Sequence, residues 1–237
     1  MIKRPAKILG YGVDELTFEQ ALDYAKLHNG QVVTINPEMI LNANKTPDFA
    51  SIIKNAELVI PDGIGVEIGL KILGHKVKRI AGIEFGKALI EQFYQEKKSI
   101  AFVGAKPEVI ELAVKNIKEE YPDVNIVYTQ DGYFKDEEQI LQEITHVQPD
   151  LVLVALGSPK QEFFINKLKQ TLPNSLMIGL GGSFDVWAGV VQRAPKIYQK
   201  MGLEWLYRTI KEPQRFKRIF PTLPIFMLKV LKERVTH

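Results

Sequence analysis

Short apolar runs of strand type alternate with segments of helical periodicity along most of the chain, and short polar links join them. The strand-type runs cover residues 7–10, 32–35, 57–60, 99–103, 125–128, 150–156 and 175–179. Between them, apolar residues recur every three or four positions, as they do in residues 84–95 and 161–172. Strands that alternate with helices favour βαβ units, in which helices cover both faces of a parallel sheet. The sequence therefore predicts an α/β fold with a mostly parallel sheet.

The composition is that of a globular protein that works inside the cell. The chain has 237 residues, 46% of them hydrophobic, which is enough for a full core. It contains no cysteine, so disulfides and thiolate metal sites are excluded and a cytoplasmic location is expected. The N-terminus lacks the apolar segment of a signal peptide, and no apolar run approaches the roughly 18 residues of a spanning helix. If the protein contacts a membrane, we expect it to bind at the surface without crossing the bilayer.

The first catalytic candidate is Asp62, in the stretch 57–69. There a short apolar run meets a Pro-Asp-Gly break, and a glycine-spaced helical segment follows. In open α/β sheets, ligands bind outside the carboxyl ends of the strands, so an acid at such an end faces the probable site. Asp and Gly also dominate turns and helix caps, so a purely local role for Asp62 stays open.

Four polar or glycine-containing loops follow predicted strands, at residues 34–38, 61–65, 104–107 and 157–162. A doubly wound sheet would bring these loops together at one edge. In two of them, Gly104 and Gly157 stand between a strand and a helix, where backbone N–H groups and a helix N-terminus can approach a phosphate. We therefore expect a nucleotide diphosphate here, although each glycine alone is also compatible with a tight link.

Motifs for several other chemistries are missing or incomplete. The glycines at 63, 65 and 69 resemble the dinucleotide fingerprint but have three residues where it has two, which disfavours NAD. The sequence has no phosphate loop of the G-x-x-x-x-G-K-[ST] type, no G-x-S-x-G elbow and no H-E-x-x-H motif. The four histidines are scattered and no Asp-x-Asp occurs, so no metal site is predicted.

The segment 203–237 differs in character from the rest. It carries eight basic and three acidic residues, a larger surplus than the net charge of +3 of the whole chain, with aromatic residues interleaved. Pro213, Pro221 and Pro224 are expected to break it into short helical pieces, of which 225–235 is apolar on one side and basic on the other. This pattern favours an anionic membrane surface. Helices docked on the core with solvated charges are the alternative. Nucleic acid is disfavoured because the basic surplus is confined to one tail.

Several short motifs occur in an order that matches one known family. They are TINPE at 34–38, PDGIG at 61–65, DGYF at 131–134, ALGSPKQE at 155–162, GGSFD at 181–185, RAP at 193–195, and GLEWLYR at 202–208 with Glu212-Pro213. With these motifs the chain resembles the WecG/TagA/CpsF family of bacterial glycosyltransferases, from about residue 10 to about residue 232. One departure is Ile35, where many relatives have proline.

The resemblance implies a Rossmann-like catalytic core, residues 1–202, and an appendage, residues 203–237, that binds the membrane and completes the active site. It implies metal-independent, inverting transfer without a cofactor, from a UDP-sugar donor to an undecaprenyl-diphosphate-linked sugar acceptor. The best-understood branch adds N-acetylmannosamine to lipid-linked N-acetylglucosamine for the linkage unit of wall teichoic acid. Such an enzyme would act at the inner face of the plasma membrane. A homo-oligomer is left open.

The resemblance also assigns roles to residues. Asp62 would be the general base, Thr34 and Asn36 would contact the sugars, and Gln161 would lie beside them. Arg208, Arg215 and Arg218 would reach from the appendage toward the diphosphates. The remaining substrate-binding candidates in these motifs and loops are Gly63, Gly104, Ala105, Gly132, Tyr133, Gly157 and Asp185.

Two further functions stay open from the sequence. The same family chemistry could use another donor, such as N-acetylmannosamine uronic acid or glucose, in capsule or exopolysaccharide assembly. From a different class, the chain could be a nucleotide-binding membrane adaptor without catalysis.

Overall fold

The computed structural model describes residues 4–200, 204–211 and 216–236. The strands are β1 (Ala6–Ile8), β2 (Tyr11–Val13), β3 (Gly30–Ile35), β4 (Leu58–Pro61), β5 (Ile100–Gly104), β6 (Ile126–Gln130), β7 (Leu151–Ala155) and β8 (Leu176–Gly179). The helices of the first half are α1 (Phe18–Leu27), α2 (Pro37–Ala43), α3 (Pro47–Lys54), α4 (Ile64–Ile72), α5 (Gly82–Gln95) and α6 (Pro107–Glu120). Those of the second half are α7 (Glu137–Val147), α8 (Lys160–Thr171), α9 (Ser183–Trp187), α10 (Lys196–Lys200), α11 (Glu204–Lys211) and α12 (Phe216–Thr236).

Six strands form one sheet in the order β4-β3-β8-β7-β5-β6. All neighbouring pairs in this sheet are parallel, so the carboxyl ends of the six strands lie along one edge. Helices α1, α5, α6 and α9 pack on one face around Phe85 and Phe102. Helices α2, α3, α4, α7, α8 and α12 cover the other face, around Phe49 and Phe164 among others. The predicted α/β fold is confirmed.

The first predicted strand forms, but it does not join the sheet. It pairs as β1 with β2 in a separate antiparallel hairpin, in which Ile8 lies opposite Tyr11. Leu9 and Gly10 make the turn, and both have positive φ, at 49° and 89°. A two-residue turn of this kind matches the twist of a β-hairpin. The alternation of strand-type and helical segments in the sequence did not indicate this hairpin.

Helix α12 of the segment 203–237 packs on the α/β fold. The prediction that Pro221 and Pro224 break this segment is wrong, because both lie inside the single helix α12, whereas Pro213 lies outside the described residues. A proline inside a helix costs about 3 kcal/mol, and burial on the core offsets that cost. Phe226 and Val230 are fully buried in the apolar cluster that α2 and α4 also join. The carboxylate of Glu233 also accepts a hydrogen bond from the Leu9 N–H, at 2.9 Å.

Among the described helices, none has the length and apolar character needed to cross a bilayer.

Candidate active site

A cavity of about 450 Å³ opens at the carboxyl ends of β3, β4, β7 and β8. Its wall includes Thr34, Asn36, Glu38, Asp62, Gly63, Arg79, Gly82, Gly157, Gln161, Gly181 and Glu204. The strands β3 and β8 are neighbours, yet the helices that follow them, α2 and α9, pack on opposite faces of the sheet. Open α/β sheets bind ligands in the crevice that such a divergence creates. The cavity is therefore the candidate active site.

Asp62 directly follows β4 and projects its carboxylate between two helix N-termini. The carboxylate accepts hydrogen bonds from the backbone N–H groups of Gly63 and Gly82, which begin α4 and α5. Gly82 permits this approach, since a Cβ there would lie 3.4 Å from Asp62 Oδ2 and 3.1 Å from Thr34 Cγ2. Asp62 thus has a structural reason to point into the cavity instead of serving a local turn.

Burial is the largest influence on the pKa of Asp62, and it raises that pKa. The nearby carboxylate of Glu204 also raises it, whereas the guanidinium of Arg79 and the two backbone N–H groups lower it. The balance leaves the pKa above the ordinary value of an aspartate. A raised pKa brings a carboxylate closer to the range in which general bases work.

Thr34 and Gln161 reach the cavity but use their polar atoms to hold its wall. The Thr34 hydroxyl donates to the Gly179 carbonyl at 3.2 Å. Gln161 Oε1 accepts from the Gly181 N–H at 3.0 Å, and Nε2 donates to Glu162 at 2.8 Å. A Cβ at Gly179 would lie only 2.4 Å from Gln161 Nε2. Both side chains therefore fix the loop between β8 and α9.

Asn36, predicted to lie in a polar loop after β3, lines the cavity as the N-cap of α2. Its Oδ1 accepts from the Met39 N–H at 3.0 Å, and Pro37 occupies the first helical position. Asparagine is a favoured N-cap residue, and proline is a favoured first residue of a helix. The cap uses the amide oxygen, so the amide nitrogen is the part of Asn36 that a ligand could contact.

Three charged residues in or beside the cavity had no role in the sequence analysis. Glu204, the first residue of α11, pairs with Arg79 at 2.6 Å and with Arg193 at 3.3 Å. Arg193 also pairs with Glu84 at 2.6 Å. Arg193 and Glu204 belong to the RAP and GLEWLYR motifs, although the resemblance assigns neither of them a role, and no motif contains Arg79. The appendage thus contributes a carboxylate to the wall of the cavity.

A second group of predicted residues lies at the ends of β5, β6 and β7. Gly104 has a φ of +120°, and a Cβ there would lie 2.4 Å from the Ala155 backbone. The Ala105 N–H donates to the Ala155 carbonyl at 2.9 Å, and the Gly132 N–H donates to the Ala105 carbonyl at 2.8 Å. Tyr133, the next residue, is exposed. Gly157 lies at the end of β7 and lines the cavity, so it adjoins both groups.

Of the remaining predicted site residues, only Asp185 has a side chain within the described structure, and it does not line the cavity. Asp185 lies on α9 outside the set of lining residues, with its Oδ2 3.6 Å from where a Cβ on Gly182 would be. Arg215 falls outside the described residues, as do the side chains of Arg208 and Arg218. Their roles, like the other roles that the resemblance assigns, stay predictions.

Across the described ranges, no group of three or more His, Cys, Asp or Glu side chains could hold a metal ion.

Comparison with known proteins agrees with this geometry. The sequence model of the glycosyl transferase WecG/TagA/CpsF family matches residues 6–237. One curated relative is the N-acetylglucosaminyldiphosphoundecaprenol N-acetyl-beta-D-mannosaminyltransferase of Bacillus spizizenii, 37% identical over 98% of this chain and 92% of its own length. The protein of the same description from Bacillus subtilis is 39% identical over 90% of this chain and 85% of its own. The chain belongs to the WecG/TagA/CpsF family of glycosyl transferases.

Proposed function

We propose that the protein transfers N-acetylmannosamine from UDP-N-acetylmannosamine to undecaprenyl-diphosphate-linked N-acetylglucosamine, as a step in the linkage unit of wall teichoic acid. The names of the two relatives supply the acceptor and the transferred sugar. The observation that carries the chemistry is the Asp62 carboxylate, held in a cavity at the carboxyl edge of the sheet.

Asp62 is suited to act as the base of a single displacement. The hydroxyl oxygen of the acceptor sugar attacks the anomeric carbon of the donor, and its proton passes to the Asp62 carboxylate. The bond between the anomeric carbon and the diphosphate oxygen breaks, and UDP leaves with the electron pair. A positioned base of this kind typically contributes about 10²–10⁴-fold to the rate.

Helix N-termini are suited to stabilise the departing UDP. At the ends of β5 and β7, helices α6 and α8 begin without a hydrogen bond from the side chain of the N-cap residue. In their first turns, Val109, Gln161 and Glu162 already donate their N–H groups to backbone carbonyls, and Pro107 has no N–H group. The N–H groups of Glu108 and Lys160 can still donate to phosphate oxygens, and the helix dipole favours the negative charge there. Gly104 and Gly157 keep the chain free of a side chain where it enters these helices. We therefore propose that the donor diphosphate binds on the β5–β7 side of Asp62.

The test is a donor screen with a short-chain polyprenyl-diphosphate N-acetylglucosamine acceptor, measured as released UDP. We expect UDP release that requires the acceptor and is fastest with UDP-N-acetylmannosamine. Faster release with the uronic acid form or with UDP-glucose would assign the protein to another polymer. The absence of acceptor-dependent release with every UDP-sugar would contradict the proposal and favour the adaptor.

The pH dependence of turnover tests the protonation state of Asp62. The base must be ionised to accept a proton, so kcat should rise with pH through the pKa of Asp62. Because burial raises that pKa, the acid limb should lie above the usual range of an aspartate. Replacement of Glu204 by Gln removes a charge that raises the pKa of Asp62 and should move the limb to lower pH. A limb at the ordinary aspartate value would contradict this account.

The exposed face of α12 supports contact with a membrane. Ile225, Leu228, Leu231 and Val235 are exposed, and they repeat at intervals of three and four residues along the helix. Phe226 and Val230 are buried on the core, so the exposed residues form a separate stripe. Lys229 and Lys232 lie on the same helix, as expected for a surface that rests on anionic headgroups. We propose that this stripe holds the protein at the inner face of the plasma membrane, near the lipid-linked acceptor.

Replacement of both Leu228 and Leu231 by Gln should weaken binding to anionic vesicles by about tenfold or more. Each replacement removes about 1 kcal/mol or more of the favourable free energy of transferring a leucine side chain from water into the membrane. Cosedimentation with phosphatidylglycerol vesicles measures the effect. The control is Leu27→Gln on α1, an exposed leucine away from the appendage. Equal vesicle binding by the double variant and the control would exclude the stripe as the membrane contact.

A further inference from the structure

Glu204 is held between two arginines that come from different parts of the chain. Its Oε2 lies 2.6 Å from Arg79 Nη2, and its Oε1 lies 3.3 Å from Arg193 Nε. The side chains of Arg79 and Glu204 are each only 14% exposed. A guanidinium group recognises a carboxylate and a phosphate through the same pattern of paired oxygens. The position of the Glu204 carboxylate is therefore one that a phosphate group could occupy.

Arg79 lies on the wall between two spaces. On one side is the cavity that contains Asp62. On the other side is an outer groove of about 590 Å³, whose wall also includes Lys78, Arg193 and Lys196. This groove holds Glu67 and Glu84 as well, but both have partners, since Glu67 accepts the Arg79 N–H and Glu84 pairs with Arg193. The groove thus offers basic side chains immediately outside the reaction cavity.

We infer that Arg79 and Arg193 bind the diphosphate of the lipid-linked acceptor, and that Glu204 occupies this site as a tethered anion until the acceptor displaces it. The inference rests on the proposed function, which supplies an acceptor that carries a diphosphate. The donor diphosphate is assigned to the opposite side of Asp62, at α6 and α8. The arginine pair lies on the side of the appendage, whose exposed stripe is proposed to meet the membrane that contains the acceptor lipid.

This arrangement would link the appendage to substrate binding. A site that a tethered anion fills about nine-tenths of the time binds an outside ligand about tenfold more weakly than the free site does. Displacement of Glu204 by the acceptor would also release the first residue of α11 from the cavity wall. The acceptor would therefore clear its own binding site by displacing the Glu204 carboxylate. Without the acceptor, this carboxylate would neutralise the positive charges of the arginines.

The first test is a calorimetric titration of the full-length protein with inorganic pyrophosphate, in the presence of saturating UDP so that the donor site is filled. Glu204→Gln should bind pyrophosphate about tenfold more tightly than the wild type. Glu233→Gln is the matched control, because it removes the same charge from the appendage but its carboxylate contacts only the Leu9 N–H among the hydrogen bonds found. The further change Arg193→Gln in the Glu204→Gln background should abolish the gain.

The second test is the steady-state rate of transfer. Glu204→Gln should lower the KM for the lipid-diphosphate acceptor by a similar factor and leave the KM for the UDP-sugar unchanged. Equal pyrophosphate affinity in Glu204→Gln and the wild type would overturn the inference. A lowered melting temperature with a raised acceptor KM would also overturn it, because Glu204 would then serve only to dock α11. The titration needs no transfer reaction, so this inference and the proposed function can fail separately.

Discussion

Replacement of Asp62 by Asn should lower kcat by about 10²–10⁴-fold, because the amide cannot accept the proton of the acceptor hydroxyl. UDP binding should be retained, since the proposed phosphate contacts come from the N-termini of α6 and α8. The amide has nearly the shape of the carboxylate, and its oxygen can still accept a backbone N–H at this position. Turnover is measured as acceptor-dependent UDP release, and UDP binding by titration.

The matched control is Asp123→Asn, which removes the same charge from an exposed turn. Asp123 has a φ of 65°, a conformation that Asn tolerates well, so this variant should keep wild-type turnover. If Asp62→Asn kept a turnover close to that of Asp123→Asn, Asp62 would not be the base. A wild-type protein with no turnover to lose would instead point to the adaptor.

Replacement of Phe226 by Ala should lower the free energy of unfolding by about 3–5 kcal/mol. Phe226 is fully buried where α12 packs on α4, and a Cβ on Gly69 would lie 3.3 Å from its ring. Removal of the ring would leave a cavity that the surrounding helices cannot fill. Chemical denaturation followed by circular dichroism measures the change.

Leu228→Ala, two positions along the same helix, is the control for Phe226→Ala. Leu228 is 66% exposed, so its replacement should change the free energy of unfolding by no more than about 0.5 kcal/mol. Equal effects of the two variants would mean that α12 does not dock on the core.

The fold was predictable because its signals are local. Most strands of the sheet are apolar runs of strand length, and the local pair Thr17 and Gln20 forms a capping box at the start of α1. The same local signals placed Asp62 and Asn36 at the ends of neighbouring strands. General rules for open α/β sheets then sufficed to predict that these residues meet in one cavity.

The errors arose where tertiary packing outweighs a local signal. Pro221 and Pro224 normally interrupt a helix, but the burial of Phe226 and Val230 keeps α12 continuous. The pairing of Arg79 with Glu204 joins residues 125 positions apart, and although Glu204 lies in the GLEWLYR motif, nothing in the sequence links it to Arg79. A contact of this kind depends on where the appendage docks, which the sequence pattern does not specify.

The most direct test of the account is the anomeric configuration of the new glycosidic bond, measured by nuclear magnetic resonance on the purified product. A single displacement with Asp62 as the base inverts the configuration at the anomeric carbon, so an α-linked UDP donor should give a β-linked product. Retention of configuration would require a covalent intermediate or attack from the same face, and would contradict the role assigned to Asp62.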